Sequence, residues 1–157
     1  MKLLRLFILT ALLSSGFAWS QSSKYKCMLQ ISNYMGEGAY VVVSLIKPDG
    51  TYDKTLYVMG DDKRWYDSLK EWHKHQSKKK DNLSAITGAS VTGGDRSVTT
   101  FSIEDSKFNK GYKLRFESAV ENQKYHIHDV EIPLSDAGIA DKASGTGYIR
   151  YVKLIKQ

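Results

Sequence analysis

Residues 39–46, AYVVVSLI, form a nearly continuous apolar run rich in valine. A run of this kind reads as a central, buried strand rather than one with a face in water. Other parts of the chain have to enclose it. Just upstream, residues 25–33 place Tyr25, Cys27, Leu29 and Ile31 at alternate positions, the pattern of a half-exposed strand. Just downstream, proline in Pro48-Asp49-Gly50 presets φ and glycine accepts a positive φ, so the chain reverses into a strand over 55–59.

Gly60 ends that strand, and Asp61 or Asp62 is placed to cap a helix predicted over 64–76. Trp65, Leu69 and Trp72 fall at helical spacing on one face of it, which predicts that the tryptophans pack on the sheet. Lys74, Lys78, Lys79 and Lys80 crowd the C-terminal end, where the helix dipole favours cations. Beyond Gly94 the pattern is β throughout, with strands predicted over 98–103, 112–121, 124–132 and 148–156 and a polar loop over 135–146. In 112–121, Leu114, Phe116 and Ser118 share one face, while Lys113, Arg115 and Glu117 take the other. The fold expected is all-β, an immunoglobulin-like antiparallel β-sandwich with one inserted amphipathic α-helix.

Residues 1–20 have the plan of a signal peptide: Lys2 and Arg5, then an apolar middle, then Ala18, Trp19 and Ser20. The apolar stretch is too short for a retained membrane span. The expectation is an exported periplasmic protein, not an integral membrane protein, with residues 21–157 as a single domain. Cys27 is the chain's single cysteine, so no internal disulfide is available, and its place in an apolar alternation predicts a buried small hydrophobe. Formal net charge is +6, and Lys2 and Arg5 belong to the leader. The basic cluster over 70–80 has no interleaved aromatic residues to stack bases, so it reads as a solvated helix face and not as a nucleic-acid site.

The residues offer little catalytic patterning. There is no nucleophile elbow, no marked carboxylate pair and no Gly-rich nucleotide loop. His126 and His128 stand two apart on a predicted strand, so both rings are expected on one face, a weak candidate pair for zinc or copper. The residues by themselves therefore give a catalyst little support and leave a binding module open.

The remaining feature is residues 84–92, SAITGASVT, between the helix and the later strands. Gly88 and Ala89 put little bulk beside the hydroxyl of Ser90, and Gly93 and Gly94 follow, which predicts an accessible loop. Thr87, Gly88, Ala89, Ser90 and Thr92 resemble the threonine-glycine-alanine-threonine-x-threonine pattern at which FMN is esterified in subunits of sodium-pumping quinone reductases and related electron-transfer complexes. The resemblance implies covalent FMN on Ser90, added by a flavin transferase. It matches at Thr87, Gly88 and Ala89, keeps the hydroxyl at Ser90, and departs at Ser84, where the pattern usually has aspartate. Thr87 and Thr92 would then bond the phosphate, Lys78 to Lys80 soften its charge, and Trp65, Tyr66 or Trp72 offer a stacking surface.

A longer similarity covers residues 24 to the last strand. AYVVVSLIKPDGTYDKTLYVMG followed by a helix ending in LKEWHKH resembles the domain of unknown function 2271 family of predicted periplasmic proteins, with Ala39 and Met59 in place of that family's usual proline and tryptophan. That resemblance implies an accessory or electron-carrier protein beside a membrane-bound reductase of PepSY type. The alternative left open by the residues is an unmodified immunoglobulin-like module that binds a periplasmic protein partner.

Overall fold

The central strand sets the layering. In the computed structural model, which describes residues 21–157, every residue of β2 (Tyr40–Ile46) is buried. The leader expected over 1–20 lies outside the described residues. Val41, Val43 and Leu45 face a core shared between two sheets, whereas Tyr40 and Val42 belong to a second cluster under a helix. Alternating side chains of one strand thus enter two separate apolar layers.

The other elements are β1 (Ser22–Ile31), β3 (Tyr52–Met59), α1 (Lys70–Lys79), β4 (Thr87–Gly88), β5 (Arg96–Glu104), β6 (Lys113–Ala119), β7 (Tyr125–Pro133), α2 (Asp136–Ala140), β8 (Ala143–Ser144) and β9 (Ile149–Lys156). One sheet runs β5-β1-β9-β8 and the other β4-β3-β2-β6-β7. The expected β-sandwich with a helix inserted between strands is therefore what forms. Among the described residues, one pairing, β3 with β4, is parallel and departs from the expected antiparallel pattern.

The turn at Pro48 forms as the sequence predicts. Gly50 has a φ of 85°, and the Asp49 carboxylate accepts from the Thr51 amide at 2.9 Å and from the Thr51 hydroxyl at 2.7 Å. Cys27 is fully buried and free, and burial pushes its thiol up to about 12. It acts as core, not as a nucleophile.

Two local expectations change. The helix predicted over 64–76 is broken into a 3-10 turn, Lys63–Ser68, and α1, with Leu69 between them at φ −87° and ψ 63°. Asp62 caps the first piece by accepting from the Arg64 amide at 3.0 Å. The Ser68 hydroxyl, bonding back to the Trp65 carbonyl at 2.6 Å, and the Leu69 amide, bonding to the Tyr66 carbonyl at 3.2 Å, keep the turn tight. The second change is in residues 135–146, expected as a loop, which hold α2 and β8. Ser135 caps α2 by accepting from the Gly138 amide at 3.1 Å.

Leu69 and Trp72 are both completely buried, and Trp65 packs against the same cluster. The Trp72 indole donates to the Thr55 hydroxyl at 2.9 Å, which satisfies its only polar atom. Asp129, also buried, binds the start of β9: its carboxylate accepts from the amides of Thr146 at 2.9 Å, Gly147 at 2.7 Å and Ile149 at 3.0 Å, and from the Ser118 hydroxyl.

Because Trp72 fills the centre of the helix layer, Trp72→Ala is expected to lower stability by about 3–5 kcal/mol. Equilibrium denaturant unfolding of the two proteins measures this. A loss within experimental error of zero would mean that the layer does not depend on that side chain.

Candidate functional site

Thr87 and Gly88 form the short edge strand β4 beside Val58 and Met59 of β3. The Val58 amide donates to the Ile86 carbonyl at 2.8 Å and the Gly60 amide to the Gly88 carbonyl at 2.6 Å. On the other side of Ser90, the backbones of Val91 and Ala39 exchange bonds of 2.8 and 3.1 Å. The segment expected to be an open loop is thus pinned on both sides of Ser90.

The glycines act differently from the sequence expectation. A Cβ on Gly88 would come within 2.5 Å of the Tyr57 hydroxyl, and one on Gly38 would come within 2.6 Å of Ser90 Oγ. Gly88 makes room for Tyr57, and Gly38 makes room for Ser90. Ser90 is half-buried as a result, and Ala89 and Thr92 are exposed.

Ser90 opens on a hollow of about 230 Å³ lined by Tyr57, Gly88, Ala89, Thr92 and Arg96, with Asp95 beside the arginine. Gln30 positions Arg96. It accepts from Arg96 Nε at 2.6 Å and donates to the Gly94 carbonyl at 2.7 Å. The hollow is therefore lined by Ser90, a glycine edge and an oriented guanidinium, groups suited to a phosphate, with the Asp95 carboxylate among them. Thr87 does not line it. Its hydroxyl donates to the Leu83 carbonyl at 2.8 Å, and Leu83 packs against the helix cluster.

Comparison with known proteins bears on the whole of this region. A family model described as "Predicted periplasmic protein (DUF2271)" matches residues 22–151. The chain belongs to that family. No curated protein and no solved structure gives a significant match. The matched span runs from the first residue of β1 into β9 and includes the Ser90 segment. The family description agrees with the periplasmic location expected from the leader. No helix among the described residues is long and apolar enough to cross a membrane.

Several residues expected near a cofactor in this DUF2271 member lie elsewhere. Trp72 and Tyr66 are buried edge to face, with centroids 5.2 Å apart, so neither presents a face for stacking. Lys79 bonds the Asp53 carbonyl, and Lys80 lines another hollow with Lys63, His73 and Asp81. The cation that shares the hollow with Ser90 is Arg96, a residue outside those expected from the sequence. Its signal was available only as a basic residue following the glycine pair.

His126 and His128 do not share a face. The β6–β7 register shifts between Phe116 and Ser118, where the partner moves from Val130 to His126. This irregularity breaks the two-residue alternation. His126 packs edge-on to Tyr148 at 5.1 Å, whereas His128 lies 3.1 Å from the Glu131 carboxylate. Among the described residues no group of three or more His, Cys, Asp or Glu is arranged to hold a metal.

A polar cluster on β6 is the feature least visible in the sequence. Arg115 and Glu117, expected on the face opposite Leu114 and Phe116, are buried beneath the helix layer. Glu117 accepts from the hydroxyls of Tyr52 and Tyr125, and the Tyr125 oxygen accepts from the Glu71 amide in the first turn of α1 at 3.2 Å. Burial raises the Glu117 carboxyl above its ordinary value despite these donors. Arg115 meets Glu131 at 2.8 Å, as does Lys113 at 2.7 Å. Burial of Glu131 works to raise its carboxyl, but bonds from Lys113, Arg115 and His128 outweigh it and hold the group at about 2. The cluster ties α1 to the sheet and positions the helix.

Since the folded-state value of Glu131 lies below its ordinary 4.5, its stabilisation is complete above 4.5 and disappears as pH falls toward about 2. Glu131→Gln is therefore expected to weaken the fold near neutrality and to flatten the acid limb of the stability profile. Unfolding midpoints collected across that interval check this, and parallel acid limbs in the two proteins would contradict it.

Proposed function

We propose that this periplasmic DUF2271 protein is an accessory or electron-carrier protein that holds FMN esterified to Ser90 and works beside a membrane-bound reductase of PepSY type. The observation that carries the reading is that Ser90 lines a hollow together with Gly88, Ala89 and an oriented Arg96. The resemblance of residues 87–92 to a flavin attachment pattern supplies the identity of the group.

The residues fit the phosphate end of such a cofactor. Ser90 Oγ is the ester oxygen, Arg96 neutralises phosphate charge, and Thr92 at the rim adds a hydroxyl. Thr87 contributes through backbone pairing with β3 instead of through its hydroxyl. When bound, FMN supplies one- and two-electron redox chemistry, and the protein supplies the tether, the orientation and the surrounding charge. The flat side between β4 and β5 leaves this end open to a transferase and then to a redox partner. A carrier of this kind needs no catalytic group of its own.

Intact mass of the protein exported from a host that makes a flavin transferase tests the proposal. The expected result is an added FMN less one water, absent in Ser90→Ala and retained in Ser90→Thr. An unmodified parent protein from that host overturns it.

A further inference from the structure

The Ser90 hollow is too small to take a flavin ring as well as a phosphate, since small-molecule sites usually span about 300–1,000 Å³ and this one is about 230 Å³. A second hollow of about 360 Å³ lies beside it, lined by Lys54, Leu56, Tyr57, Ile86, Thr100 and Phe101, among others. Tyr57 is common to both. Its hydroxyl end rests against Gly88, at the place a larger residue would occupy.

The two hollows lie along the side of the sandwich where both sheets end, β4 closing one and β5 the other. These strands act as two rails. Ser90 and Arg96 mark one end, and Ile86 and Thr100 mark the other. The β5 rail advances four residues between Arg96 and Thr100, or about 13 Å at about 3.3 Å per residue. The two adjoining hollows thus have Ser90 and Arg96 on one side of Tyr57 and Ala85, Ile86 and Thr100 on the other, and together form a trough. An elongated ligand with an anionic group, a polar linker and a flat ring system matches that order.

We propose that this trough seats the isoalloxazine of the FMN carried on Ser90, with Tyr57 as its aromatic wall. The inference rests on the reading of Ser90 as the attachment point. It assigns roles to Tyr57 and Ile86 in place of Tyr66 and Trp72, whose rings are buried. Aromatic walls suit a flat conjugated ring because they offer a large contact area and a polarisable face. An electron-rich phenol in contact with a flavin also quenches its emission, which makes the seat observable.

The test uses the full protein exported with a flavin transferase, with bound FMN per chain fixed by intact mass. In the loaded parent, flavin emission is expected to be strongly quenched relative to free FMN, with visible circular dichroism from a held ring. Tyr57→Leu removes the wall. Ala85→Trp fills the same hollow from an exposed position outside the core. Each is expected to raise emission per bound flavin several-fold and reduce the visible dichroism, with far-ultraviolet dichroism unchanged. Emission equal to free FMN in the loaded parent, or parent-like quenching in both loaded variants, overturns the seat while leaving the attachment at Ser90 intact. Absence of the added mass in the parent overturns the attachment itself, and the seat with it.

Discussion

Burial of β2 on both faces is the constraint from which the rest of the structure follows. Its valines and leucine on one side require a second sheet, and Tyr40 and Val42 on the other require a further cover, which Leu69 and Trp72 provide. A two-layer sandwich alone would leave that second face wet. Each fully buried aliphatic side chain contributes on the order of 1.5–3 kcal/mol, so an uncovered face of a central strand would cost a large part of a typical domain's stability. With no cross-link available from a single cysteine, packing in these layers carries the fold.

The helix cover has a consequence for its neighbour β6. Arg115 and Glu117 sit on the face that the helix closes, so both lose water and need partners. Tyr52, Tyr125 and Glu131 supply them. A buried ion cluster is weak evidence for added stability, because desolvation offsets the attraction. Its clearer effect is positional. Tyr125 bonds the first turn of α1, and His75 of α1 stacks on Tyr52 at 4.9 Å, so the helix has one seat on the sheet.

The sheets end together on one side, and that is where the chain offers a site. A sandwich has no natural cavity in its core, and its open edges are where backbone and side chains of both layers become accessible. Here the edge is short and pinned at Thr87, Gly88 and Val91, which limits strand addition by another chain. The same pinning holds Ser90 in a defined position next to Gly38 and near Arg96. A tether point for a redox group benefits from such rigidity, because electron transfer depends on a fixed relation between donor and acceptor.

Local chemistry made much of this legible in the sequence. The valine run, the Pro48-Asp49-Gly50 turn and the alternation around Cys27 each rest on contacts within a few residues and form as read, and Leu69 and Trp72 pack on the sheet as their spacing suggests although the helix breaks at Leu69. The TGAS segment could likewise be picked out from its small residues and its resemblance. What escaped depends on partners distant in the chain. The bulge that separates His126 from His128 exists because Asp129 turns inward to gather the amides of residues 146–149. The parallel strand at Thr87 forms because Val58 and Gly60 present free backbone groups to it. Arg115 and Glu117 look like solvent residues until a helix from elsewhere covers them.

The sequence by itself determined the class of fold, the strands that must be buried and the place of a small-residue segment between the helix and the later strands. Those follow from periodicity, turn stereochemistry and residue size, which act over short range. Only the tertiary structure decided that Gly88 serves Tyr57 and Gly38 serves Ser90, that Arg96 and not the lysine run lines the Ser90 hollow, and that Tyr57 borders two neighbouring hollows. These relations are set by which strands become neighbours, and that choice is made by the summed burial of the whole chain rather than by any segment of it.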